Sequence, residues 1–145
     1  MKLLKALVLI FLSTCAIFGC KAPVSENQNS ENNTGSEITY ENIQVFYFHN
    51  TKRCATCNAV EEETKMALEM FYPEQREAGT IEFTSLNLEE EEGAKMAESL
   101  QVSGQTLLLV KGEKRVNLTN EGFMNARTNP GKFHEILQAS IDQLL

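Results

Sequence analysis

The chain has 145 residues, 42% of them hydrophobic and 23% charged, and a formal net charge of −7. That length suits one globular domain, and an acidic balance without a basic cluster excludes nucleic-acid binding that works by neutralising phosphates. Enzyme, carrier and interaction module all stay open.

Residues 1–19 read as a signal peptide. Lys2 and Lys5 form a positive start and Ala6 to Phe18 a short apolar run, well under the ~20 residues needed to span a bilayer. "IFGC", Ile17 to Cys20, resembles a bacterial lipobox. The resemblance implies that Cys20 is lipidated and becomes the first residue of the mature protein, held to the membrane by its acyl chains. Lys21 replaces the Asp that marks inner-membrane retention in enteric bacteria, so the expectation is the outer membrane of the cell envelope, with the domain facing the periplasm. Cys15 leaves with the signal and Cys20 is consumed by lipid. Cys54 and Cys57 are then the remaining thiols, in a compartment where disulfides form.

Residues 20–37 form the lipidated cysteine and a polar tether, "KAPVSENQNSENNTGSE", with almost nothing to place in a core. A flexible coil of ~17 residues reaches roughly 20–25 Å, enough to hold a domain clear of the headgroups. The domain is expected over residues 38–145.

Within it, Ile43 to His49 is a continuous apolar run of strand length, as a buried central strand requires. Asn50 to Arg53 make a loop. Helical spacing takes over from Cys54 to Tyr72, carried by Val60, Thr64, Ala67, Leu68 and Phe71, and Pro73 stops it. Met66 and Met70 are read, with Phe71, as helix packing. Thr80 to Leu88 reads as a second strand, and Glu89 to Leu100 as a helix whose glutamates sit at the end its dipole favours. Thr106–Val110 and Lys114–Leu118 flank a Lys111-Gly112-Glu113 turn as a hairpin. Asn129 caps a last helix with Pro130 in its first turn. Phe133, Ile136, Leu137, Ile141 and Leu144 give that helix one apolar face, and His134 is expected to face solvent.

"RCATC" carries the chemistry. The thiolate is the reactive form of a cysteine, so its pKa controls reactivity. Cys54 falls at a helix N-terminus, where free N–H groups and the dipole favour an anion, and Lys52 and Arg53 add positive charge beside it. Cys57, one turn on, can close a ring and resolve a mixed disulfide. Cys54 is therefore the expected exposed nucleophile and Cys57 the more buried resolving thiol.

The element order, with this cysteine pair at the mouth of the first helix, resembles the thioredoxin fold from Ile43 to Leu145. The implied class is α/β: a central mixed sheet of about four strands, a parallel βαβ unit followed by an antiparallel hairpin, flanked by helices. The whole is similar to the small ArsF-type thioredoxin-like proteins of Bacteroidota, linked with arsenic operons. Several positions depart from thioredoxin. Arg53 stands where thioredoxin has Trp, and Ala55-Thr56 where it has Gly-Pro. Gln105 precedes Thr106 where the family has a cis-proline, which implies a trans bond, since a non-proline cis bond costs roughly 2.5–4 kcal/mol. The family's buried acid, a proton acceptor near the cysteines, has no counterpart, and no carboxylate lies between Glu41 and Glu61.

Three readings follow. The first is a thiol–disulfide redox protein whose cofactor is its own disulfide and whose partner is a protein thiol or disulfide. The second is a carrier of a soft metal or metalloid, Cu, Zn or As(III), on Cys54 and Cys57. His49 would be its third ligand or, in the redox reading, a proton acceptor, against the plainer role of a strand-end packing residue. The third is a structural disulfide in an interaction module, although so short a ring stabilises little. A monomer is expected, since nothing suggests a coiled coil.

Overall fold

The computed structural model describes residues 39–145, so the signal, Cys20 and the tether lie outside the described residues. Nine elements follow in order: β1 (Tyr40–His49), α1 (Ala55–Phe71), α2 (Pro73–Glu77), β2 (Ile81–Asn87), α3 (Glu91–Ser99), β3 (Thr106–Gly112), β4 (Lys114–Asn117), α4 (Thr119–Asn125) and α5 (Pro130–Asp142). The strands form one sheet in the order β2-β1-β3-β4. β1 and β2 run parallel, joined through α1, while β1–β3 and β3–β4 are antiparallel.

β1 is central because it is apolar on both faces. Successive side chains alternate across a sheet, so Ile43, Val45 and Tyr47 point one way and Phe46 and Phe48 the other. The first set meets Val60 and Leu68 of α1 and Phe133, Leu137 and Ile141 of α5. The second meets Leu86, Leu108 and Val110 and, from the α3 side, Ala97 and Leu100. Two cores on opposite faces make a three-layer α/β/α sandwich. The fold is thioredoxin-like. Phe133 is fully buried, and truncating it to alanine would cost about 3–5 kcal/mol.

The expected elements are present with shifted ends. Pro73 both follows α1 and opens α2, since its fixed φ suits a first helical turn. The hairpin pairs Lys111 with Lys114, leaving a two-residue turn whose first position, Gly112, has φ +58°, the conformation that favours glycine. Asn129 caps α5 by accepting from the Lys132 N–H at 3.3 Å.

Three expectations are corrected. α2 and α4 lie where no element was expected; Gly122 in α4 is buried, and a Cβ there would sit 3.2 Å from Val60, so that helix seats against α1 through a residue without a side chain. Met66 and Met70 are 49% and 59% exposed, because α1 packs through Cys57, Val60, Glu61, Thr64, Ala67 and Leu68 and the methionines fall on the other side. His134 does not face solvent. Its Nε2 lies 2.8 Å from Glu63 Oε2 and its ring meets the edge of Phe71, so it fills the seam between α5 and α1.

Candidate functional site

The site lies where β1 ends and α1 begins. Cys54 is the N-cap of α1 in extended conformation, and its Sγ accepts from the Cys57 N–H at 3.1 Å. The cap therefore puts sulfur where a serine or aspartate oxygen normally satisfies a free helix N–H. No acidic residue occupies the first turn of α1, so nothing there opposes the dipole's pull on a negative sulfur. Cys54 and Cys57 are joined as a disulfide, with Cα atoms 5.0 Å apart. Cys54 is exposed, and Cys57 is only 3% exposed.

Beneath the pair is a buried polar group that the sequence did not reveal. The Tyr47 hydroxyl donates to the Cys57 carbonyl at 2.9 Å. The Arg53 guanidinium lies over the Tyr47 ring, 5.5 Å from its centroid, and pairs with Glu61. Glu61 also accepts from Lys65 Nζ at 2.5 Å. Burial pushes the Glu61 carboxyl pKa up, but hydrogen bonds from Lys65 and Arg53 outweigh it and hold the group below its ordinary value. Glu61 thus stays ionised, at 8% exposure. Burial raises the Tyr47 phenol pKa against the opposing pull of Arg53.

So the chain buries a carboxylate, Glu61, on the helix that carries the cysteine pair, held there by Arg53 and Lys65. It comes from the helix, one turn beyond Cys57, rather than from the strand. The one available signal was spacing: Glu61 follows Cys57 by four and precedes Lys65 by four, and such residues share a helix face. Arg53 likewise does more than stand beside Cys54 as a charge, because Glu61 and Tyr47 hold its side chain.

The remaining expected residues sit around this centre. Lys52 is exposed and makes no ion pair among the described residues. The loop before Cys54 is tied to the β2–α3 turn, with the Thr51 N–H donating to Glu89 at 3.2 Å and Asn87 Nδ2 to Thr51 Oγ1 at 3.0 Å. His49 ends β1 with Nδ1 3.0 Å from the Asn50 carbonyl oxygen and its ring tilted against Tyr47. Thr106 pairs with Phe48 across β1 and β3, and its hydroxyl donates to Gly104 at 3.1 Å. One residue earlier, Gln105 stands at the same end of the sheet as His49. No cis peptide occurs among the described residues, so the Gly104–Gln105 bond is trans, and the Gln105 Oε1 is buried without a protein donor among them.

Among the described residues no cluster of three or more His, Cys, Asp or Glu gathers in metal-binding geometry. None of the described helices is long and apolar enough to cross a membrane. A concavity lined by Tyr40, Lys111, Lys114 and Leu144 lies at the far end of the sheet from Cys54.

No family model matches the chain, and no curated protein does. A solved structure described as that of a malarial protein aligns with a TM-score of 0.47 at 19% identity, over 72% of this chain and 98% of its own.

Proposed function

We propose that this is a thiol–disulfide redox protein of the cell envelope, with Cys54 as nucleophile and Cys57 as resolving thiol. The carrying observation is the asymmetry of the pair: one exposed sulfur capping a helix N-terminus, bonded to a buried one a turn further on. In the reduced protein, the Cys54 thiolate attacks one sulfur of a client disulfide. A Cys54–client mixed disulfide forms, and the client's other sulfur leaves as a thiolate and takes a proton. Cys57, deprotonated, then attacks Cys54 Sγ, closing the ring and releasing the second client thiol. Two electrons pass to the client. The reverse sequence oxidises a client dithiol, and the reduction potential sets the direction.

Lys52 gives an exposed positive charge beside the attacking sulfur, and Gln105 and Thr106 edge the surface a client strand would meet. Lipidation of Cys20 would tether the domain to the outer membrane, facing the periplasm, with the protein acting as a monomer on protein thiols. Kinship with the ArsF-type proteins belongs to the same reading, resting on the element order and the cysteine pair.

Thiol trapping of the full chain in detergent, across glutathione and dithiothreitol redox buffers, tests this. A single two-electron transition of Cys54 and Cys57 is expected, with Cys57→Ser trapping a mixed disulfide and Cys54→Ser abolishing exchange. A pair locked as disulfide below about −300 mV would instead make the bond structural. Thiols that stay reduced while holding stoichiometric zinc, copper or arsenite would make the protein a carrier. Loss of membrane fractionation in Cys20→Ser checks the anchor.

A further inference from the structure

We infer that Glu61 is a positioning residue that sets the redox poise of the cysteine pair by holding Arg53 and cancelling its charge beside Cys54. The inference rests on the redox reading above and adds the group that tunes it.

Arg53 directly precedes the exposed sulfur. A guanidinium free to lie against that sulfur would favour the thiolate and hence the reduced protein, since a charge that stabilises the thiolate stabilises the dithiol state. Its position is otherwise engaged. It lies over the Tyr47 ring, the same side chain whose hydroxyl holds the Cys57 carbonyl, and it is paired to Glu61. One tyrosine therefore carries the guanidinium on its face and the first turn of α1 on its hydroxyl.

The charges that face Glu61 are Arg53 and Lys65, both at the start of or on α1, with the Tyr47 phenol from β1 close enough to sense Glu61. Two cations share one anion, so the group carries a single net positive charge under the disulfide. The buried carboxylate thus has an electrostatic consequence at the sulfur beyond its contribution to folding. The carboxylate is buried while Arg53 and Lys65 are partly open to solvent, and partly exposed ion pairs contribute little to stability, so the redox couple is where the effect is expected.

The reaction that reports it is the exchange of the protein disulfide with two glutathione thiols, giving the protein dithiol and glutathione disulfide. Two electrons and two protons move from glutathione to Cys54 and Cys57. Glu61→Gln keeps the shape and removes the anion, so Cys54 titrates at lower pH and the equilibrium moves toward dithiol about tenfold, ~30 mV for this two-electron couple. Arg53→Met removes the cation and moves both readouts the opposite way. The double variant restores the net charge and returns the equilibrium to within about threefold of wild type, ~15 mV by the same conversion. Glu61→Asp keeps the charge and is expected to keep the wild-type midpoint.

The experiment is a glutathione titration of the full chain with thiol trapping, together with the pH dependence of Cys54 alkylation, on wild type and these four variants. Single variants shifting in opposite senses, with cancellation in the double, is the expected result. A loss of folding alone would move both in one direction. Singles that both stay within twofold of wild type, or that shift in the same sense, would overturn the inference while leaving the redox reading standing. A wild type with no transition at all would overturn both.

Discussion

The phenol of Tyr47, on the central strand, donates to the main-chain carbonyl of Cys57 at 2.9 Å. The tyrosine is fully buried, so this bond fastens the first turn of α1 to the middle of the sheet. Tyr47→Phe removes the donor and keeps the ring. The carbonyl retains its helical N–H partner, so the cost is expected near the typical net value for one hydrogen bond, about 1 kcal/mol. Urea unfolding at unchanged m-value measures it. A loss of several kcal/mol would mean the bond organises the whole turn.

Glu61 should also shape the acid limb of stability. Its pKa is depressed in the folded chain, so folding gains stability while the group is ionised in both states. That gain is present above the unfolded carboxyl value, near 4.5, and is lost as pH falls through the lower folded value. Wild type should therefore lose part of its stability as pH falls below about 4.5, and Glu61→Gln should show a shallower slope there. Denaturant midpoints from pH 7 to pH 3 test this, and parallel acid limbs would contradict it.

Gly93 and Gly131 make opposite predictions from the same substitution. A Cβ at Gly93, in the first turn of α3, would lie 2.6 Å from the Asn87 carbonyl carbon and nearer still to its oxygen. Backbone cannot yield there as a side chain can. Helix propensity favours alanine by ~1 kcal/mol, but the overlap wins, and Gly93→Ala should destabilise by about 3 kcal/mol, the upper end for overpacking, or more. At Gly131, in the first turn of α5, a Cβ meets nothing within 4 Å, so Gly131→Ala should stabilise by about 0.4–1 kcal/mol. Thermal melts of the two variants should move to opposite sides of wild type.

Gln101 ends α3 at φ +55°, the left-handed conformation that glycine adopts freely. Its N–H donates to the Glu98 carbonyl at 3.1 Å and the Val102 N–H to Ala97 at 2.7 Å, the paired bonds of a Schellman cap. A residue with a Cβ pays about 1–2 kcal/mol at that φ, while glycine costs more entropy in the unfolded chain. Gln101→Gly is expected to raise stability by roughly 0.5–1 kcal/mol on balance, read as an increased urea midpoint. A drop would mean the Gln101 side chain contributes more than its backbone costs.

The element types were legible in the sequence because each is written into a few consecutive residues. The apolar run Val45 to Phe48 within β1 suits a strand covered on both faces, and the face of Phe133, Leu137 and Ile141 suits a helix on a core. The cysteine pair announced the site by position, at the first residues of α1. α2 and α4 escaped, since helices of five and seven residues have too short a pattern to declare themselves.

What the sequence determined by itself was the order of the four strands and three longer helices and the place of Cys54 and Cys57, properties of local periodicity and capping; the thioredoxin-like class entered as a resemblance carried by that order. Tertiary structure alone decided which charges meet. Glu61 had Lys65 as a neighbour on its own helix, yet only the packing of α1 on β1 buried it, laid Arg53 across Tyr47 and closed the group under Cys57. The same packing turned Met66 and Met70 outward and drew His134 to Glu63. A side chain's partner depends on the direction in which its helix is docked, and that direction is fixed by residues from the whole sheet rather than by those beside it in the chain.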